Sequence, residues 1–91
     1  MIVCEAIMNK IEDFKQNSLK RILYSQTLGE PRYYFIIEGD FNKENIRYWN
    51  NIEVFLPQQD EFKDSGLEIT VGTESDWENN HFKFGWNEIP F

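Results

Sequence analysis

Near residue 17 the spacing of apolar residues changes, and that change sets the class of fold. Before it, Cys4, Ile7, Ile11 and Phe14 recur at steps of three and four, which places them on one face of a helix. Glu5, Lys10, Glu12, Asp13 and Lys15 fall on the other side or its edges. Asn17-Ser18 is the expected stop. Residues 19–26 fit either a continued helix through Leu19, Ile22 and Leu23 or a strand. The strand is preferred because it can pair with the next extended segment of the chain.

From there the period is two. Leu28-Gly29-Glu30-Pro31 reads as a turn. Tyr33, Phe35 and Ile37 alternate with Tyr34, Ile36 and Glu38, a strand apolar on nearly both faces. Ile46, Tyr48, Ile52, Val54 and Leu56 share one parity, broken at Asn50. Arg47, Trp49, Asn51, Glu53 and Phe55 share the other. This predicts one long strand, or two around Asn50-Asn51, closed by Pro57. Residues 58–66 read as a polar loop, Leu67 to Gly72 as a half-buried strand, and Thr73 to Asn80 as a second, acidic loop. Phe82, Phe84 and Trp86 predict a last strand, with an irregular tail over 87–91.

Connections this short imply antiparallel neighbours, since a parallel pair needs a crossover of about a dozen residues or more. The helix stripe must bury against one sheet face. The prediction is a single α+β domain over residues 1–91: an N-terminal helix packed on a four- to five-stranded, mainly antiparallel meander sheet. Met8 opens a conventional polar helical sequence, so residues 1–7 are open to being an upstream extension, with Met1 and Met8 as alternative starts.

The 91 residues suffice for a core, and 41 % hydrophobic with 16 % aromatic content argues against intrinsic disorder. A single cysteine, Cys4, forms no internal disulfide, which points to a reducing, cytoplasmic setting. No apolar run reaches the length of a membrane span, and Glu5 interrupts the apolar start that a signal peptide would need.

Chemistry is sparse. One His and one Cys cannot close a zinc site, and Asp60, Asp64, Gly66 and Glu68 lack calcium-loop spacing. No cofactor is expected. Cys4 lies on the helix's apolar stripe, where a structural thiol is expected. There is no nucleophile elbow and no glycine-rich phosphate loop. His81 with Glu74 or Glu78, or with Glu38 and Arg32, offers acid–base groups of a kind that occurs in any domain. The expectation is a protein that is not an enzyme.

Charge is more informative. Sixteen acids against nine bases give a net charge of -7, which disfavours nucleic acid and anionic membranes as partners. Residues 1–37 carry five bases and four acids, whereas residues 38–91 carry four bases and twelve acids. The surplus concentrates in Asp60, Glu61 and Asp64 and in Glu74, Asp76 and Glu78, with Glu53 and Glu68 placed to bridge the two loops. Aromatics lie among them: Phe62 in one loop, Trp77 in the other, and Trp49 at the parity of Glu53. Carboxylates steer basic partners, and aromatics supply interface anchors. These eleven residues form the predicted partner-binding set.

In size and acidity the chain is similar to small bacterial immunity and antitoxin proteins, which block basic nuclease toxins. The resemblance implies an inhibitor that occludes a basic toxin nuclease domain by pairing carboxylates with its phosphate-binding Lys and Arg. The alternatives are a phage- or host-derived adaptor or mimic that binds a regulatory or defence protein, and a small enzyme acting through His81. The strand Phe82–Trp86 is a candidate edge for pairing with a partner or a second copy.

Overall fold

The computed structural model describes residues 3–26, 29–38, 43–79 and 85–91. Two short helices, α1 (Val3–Met8) and α2 (Ile11–Gln16), lead into strands β1 (Leu19–Ser25) and β2 (Arg32–Ile37). Helix α3 (Lys43–Phe55) runs into a 3-10 turn at Leu56–Gln58. Strand β3 (Glu68–Gly72), helix α4 (Glu74–Glu78) and strand β4 (Asn87–Ile89) complete the order. The fold is α+β, as the change of period implied. The break at Asn17-Ser18 and the strand over residues 19–25 are also as expected.

The sheet runs β3-β2-β1-β4. β1 pairs antiparallel with β2 and with β4, while β2 and β3 run parallel. That mixed order departs from a simple meander, and α3 is the reason. Residues 46–56, read as strand, form a helix and its 3-10 extension. The link from β2 to β3 is therefore a helical crossover long enough for a parallel pair.

The helix was hidden by an ambiguity of spacing. Tyr48, Ile52 and Leu56 share a parity, but they are also four apart and so lie on one helix face. With Asn45 and Trp49 they form the inward side of α3, while Arg47, Asn50 and Asn51 are exposed. The polar pair Asn50-Asn51, read as a break between strands, is the solvent side of the helix.

The main core lies between the sheet and helices α1–α3. Ile7, Phe14, Ile22, Phe35, Ile37 and Ile69 meet Trp49, Leu56 and Phe62 there. Phe14, Phe35 and Trp49 form a ring triangle with centroids 5.1–5.7 Å apart. A bulge between Leu19 and Arg21 turns Leu19 to this face alongside Ile22. The opposite face carries a smaller cluster of Leu23, Tyr34, Ile36 and Trp77, with Trp86 packed against it. Both faces of β2 are thus covered, which accounts for its unbroken apolar run.

Two readings of the C-terminal half are corrected. The stretch 73–80 is not wholly loop, because Thr73 and Asp76 form a capping box that starts α4. The tail read as irregular contains β4, which begins after Gly85 at φ 81° and pairs with Ile22–Tyr24. The predicted strand over 82–86 falls largely outside the described residues, as does the side chain of His81.

Candidate protein-binding surface

Three of the predicted contact residues are core. Trp49 is 2 % exposed, Phe62 1 % and Trp77 8 %. Their expected role as exposed anchors is corrected, and the physical reason is local in each case. Trp49 lies on the inner side of α3, where its indole Nε1–H donates to the Asn17 carbonyl at 2.7 Å. Phe62 joins the main cluster from the loop before β3. Trp77 packs edge-on to Tyr34 at 5.1 Å and to Trp86 at 5.7 Å.

The predicted carboxylates divide by what they touch. Glu74 takes two hydrogen bonds from the Arg21 guanidinium and also faces Lys20 at 3.6 Å. Glu68 pairs with Arg32 at 3.0 Å, Glu61 with Lys10 at 3.7 Å, and Asp60 with Lys63 at 3.4 Å. Asp76 is committed to the cap, accepting from the Thr73 N–H at 2.9 Å. Glu78 is exposed on α4. Glu53 and Asp64 have no ion-pair partner among the described residues.

The basic side chains show the converse. Lys10, Lys15, Lys20, Arg21, Arg32 and Lys63 each face a carboxylate within the fold. Arg47 is without an ion pair among the described residues. Six cations are thus matched by carboxylates of the same chain, and the net charge of the whole sequence is negative.

The acidic loops sit at opposite ends of β3: residues 60–64 precede it and α4 follows it. Glu53 lies on α3 beside Val71 of β3, while Glu68 begins the strand itself. Burial pushes the Glu53 carboxyl above its ordinary value. The Tyr34 hydroxyl is raised by burial first, then by Asp76 and Glu53, which places its oxygen in the field of both carboxylates.

Glu53 borders a groove of about 270 Å³ between α3 and β3, lined by Ile46, Trp49, Asn50, Glu53 and Val71. Sequence reasoning missed this feature. Its signal was the spacing of Ile46, Trp49, Asn50 and Glu53 at i, i+3, i+4 and i+7, one stripe of a helix. Ile46 is 45 % exposed at its rim. A second depression, at the ends of β2 and β3, is walled by Lys20, Glu38 and Glu74, whose opposite charges pair across it at Lys20–Glu74.

No metal-binding group of three or more His, Cys, Asp or Glu occurs among the described residues, and none of the described helices is long and apolar enough to cross a membrane. Comparison with protein-family models, curated proteins and solved structures gives no match for this chain.

Proposed function

We propose that the chain is an acidic protein-binding domain that captures and occludes a basic partner, acting as an immunity-type inhibitor of a toxin nuclease domain. The observation that carries this reading is the disposition of charge. Lys10, Lys15, Lys20, Arg21, Arg32 and Lys63 each face a carboxylate of the same chain, on a chain of net charge -7. A surface of that kind attracts basic proteins over long range, repels nucleic acid, and loses its attraction as salt rises. A nuclease domain must display Lys and Arg to hold phosphates, so it offers the complementary surface. The setting proposed is cytoplasmic, and the role is binding rather than catalysis.

The test is capture with the tagged chain from the cell that makes it, at low and at high ionic strength. The retained protein should be basic and stoichiometric, and high salt should release it. Added back, the chain should abolish that protein's cleavage of nucleic acid. Retention of nothing basic at low salt, or a partner whose activity is unchanged in the complex, overturns the reading.

A further inference from the structure

The two edges of the sheet differ. β4 spans three residues, Asn87–Ile89, and runs into Pro90, which has no N–H to offer a neighbouring strand. β3 spans five residues with no proline and no bulge in its pairing with β2. Among the described residues β3 has a sheet neighbour on one side only. Natural edges are ordinarily blunted by proline, bulges or lysine, and β3 carries none of these.

Its free side can be assigned. The Glu68 N–H donates to the Pro31 carbonyl at 3.0 Å, so Glu68 faces β2. Backbone direction alternates along a strand, so Thr70 and Gly72 also face β2. Ile69 and Val71 then turn their N–H and C=O groups to the side away from β2, where Ile69 is 5 % exposed and Val71 is half-buried. The groove between α3 and β3 opens beside Val71. Its walls are the apolar sides of Ile46, Trp49 and Val71, and the Glu53 carboxylate stands at its polar end with Asn50.

We infer that β3 is a docking edge: an extended segment of the basic partner adds as a strand beside Ile69 and Val71 and lays a Lys or Arg side chain in the groove against Glu53. The inference rests on the reading of a basic partner and specifies how that partner is held. Strand addition supplies main-chain hydrogen bonds, and the pocket beside the strand supplies side-chain selection. A Lys or Arg stem suits apolar walls that lead to a carboxylate. Charge argues against a second copy as occupant, because each copy carries -7 and brings its own Glu53 to the same edge. The raised Glu53 carboxyl is in keeping with this, since it is partly desolvated and no cation pairs with it among the described residues.

The test uses the full chain and a capped peptide of about six residues with alternating Lys and Val, long enough to lie along β3. Titration followed by amide NMR should move the Ile69 and Val71 signals and slow their hydrogen exchange. A peptide with Glu in place of Lys should not bind. Methylating alternate peptide nitrogens should weaken binding about tenfold, because it removes the main-chain hydrogen bonds to β3. Glu53→Gln should weaken it about threefold to tenfold. Val71→Pro should remove the docking N–H while leaving the β2 ladder intact, and the methylated peptide gives the same answer on the unaltered protein.

If the Lys peptide binds equally well after methylation and to Glu53→Gln, the docking edge is overturned while attraction for basic partners stands. No binding of the Lys peptide also overturns it, leaving the wider reading to the capture experiment. A dimer of the free chain with Ile69 and Val71 already protected from exchange assigns the edge to a second copy and overturns the inference.

Discussion

The indole Nε1–H of Trp49 donates to the carbonyl of Asn17 at 2.7 Å, joining the middle of α3 to the corner between α2 and β1. That corner is conformationally costly. Ser18 has φ 71°, in the left-handed region that a residue with a Cβ rarely adopts. Its carbonyl accepts from the Glu38 N–H at 3.0 Å, and its hydroxyl accepts from the Asn45 side chain at 3.2 Å. The corner is thus fastened once from Glu38, the residue that follows β2, and twice from α3. Trp49→Phe keeps an aromatic ring in the triangle with Phe14 and Phe35 but removes the donor. It should destabilise the fold by about 1–3 kcal/mol, the usual cost of stranding a buried polar group. Thermal unfolding followed by circular dichroism should show a midpoint lower by about 4–8 °C per kcal/mol.

Arg21 ties three elements together. From β1 it donates to Glu88 of β4 at 2.6 Å and 3.1 Å, and to Glu74 of α4 at 2.9 Å. The hydrogen bond from Arg21 holds the Glu88 carboxyl below its ordinary value of 4.5. A lowered carboxyl contributes stability that is complete above that ordinary value and is lost as pH falls through the folded one. Arg21→Met should therefore cost about 1 kcal/mol near neutral pH, the scale of solvent-accessible pairs, and close to nothing in strong acid. Amide exchange should quicken first at Asn87–Ile89, because so short a strand has little else to hold it.

The strand over 32–37 was legible because its alternation admits one period and turn residues precede it, whereas residues 19–25 fitted helix and strand alike and were read as strand only because they could pair with the next segment. The α3 segment was not legible. Tyr48, Ile52 and Leu56 satisfy steps of two and of four alike, and its aromatic and β-branched content favours a strand. What decides it is the crossover to β3, a relation between distant parts of the chain. The candidate site was lost with the helix, since the groove stripe of Ile46, Asn50 and Glu53 exists only at helical spacing. The acidic loop around Trp77 misled for a different reason. Thr73-Glu74-Ser75-Asp76 carries the spacing of a capping box, so Asp76 is directed to its own backbone and Trp77 into the core.

Glu53 gives a pH signature of opposite sign to Glu88. Burial raises its carboxyl above 4.5, so the fold favours the neutral form. That contribution is complete below the ordinary value and is lost as pH rises through the folded one. Glu53→Gln should match the parent in acid and exceed it near neutral pH by no more than about 1 kcal/mol, because the side chain still meets water. Urea unfolding of both proteins at pH 3.5 and pH 7 measures the difference. A Gln variant less stable than the parent at pH 7 would mean that the carboxylate has a compensating partner.

Gly72 ends β3 where the small core and α4 converge. A Cβ built there would lie 2.7 Å from the Tyr34 hydroxyl and 3.0 Å from both Cβ and Oδ2 of Asp76. The first distance is too short for a methyl carbon against an oxygen, and Tyr34 has little room to yield. Its ring is wedged against Trp77 at 5.1 Å and Trp86 at 6.3 Å. Asp76 cannot retreat without breaking its bond to the Thr73 N–H. Gly72→Ala should therefore destabilise the fold by about 1–3 kcal/mol, the range for overpacking, although alanine is otherwise the better residue in a strand. The damage should be local before it is global. Trp77 sits one residue beyond the cap, so its fluorescence should shift toward that of a hydrated indole below the main transition. Gly72→Ala with Tyr34→Phe removes the atom that the methyl group meets first, and should recover part of the loss if the hydroxyl is the obstacle. No recovery would place the conflict at Asp76 and the start of α4.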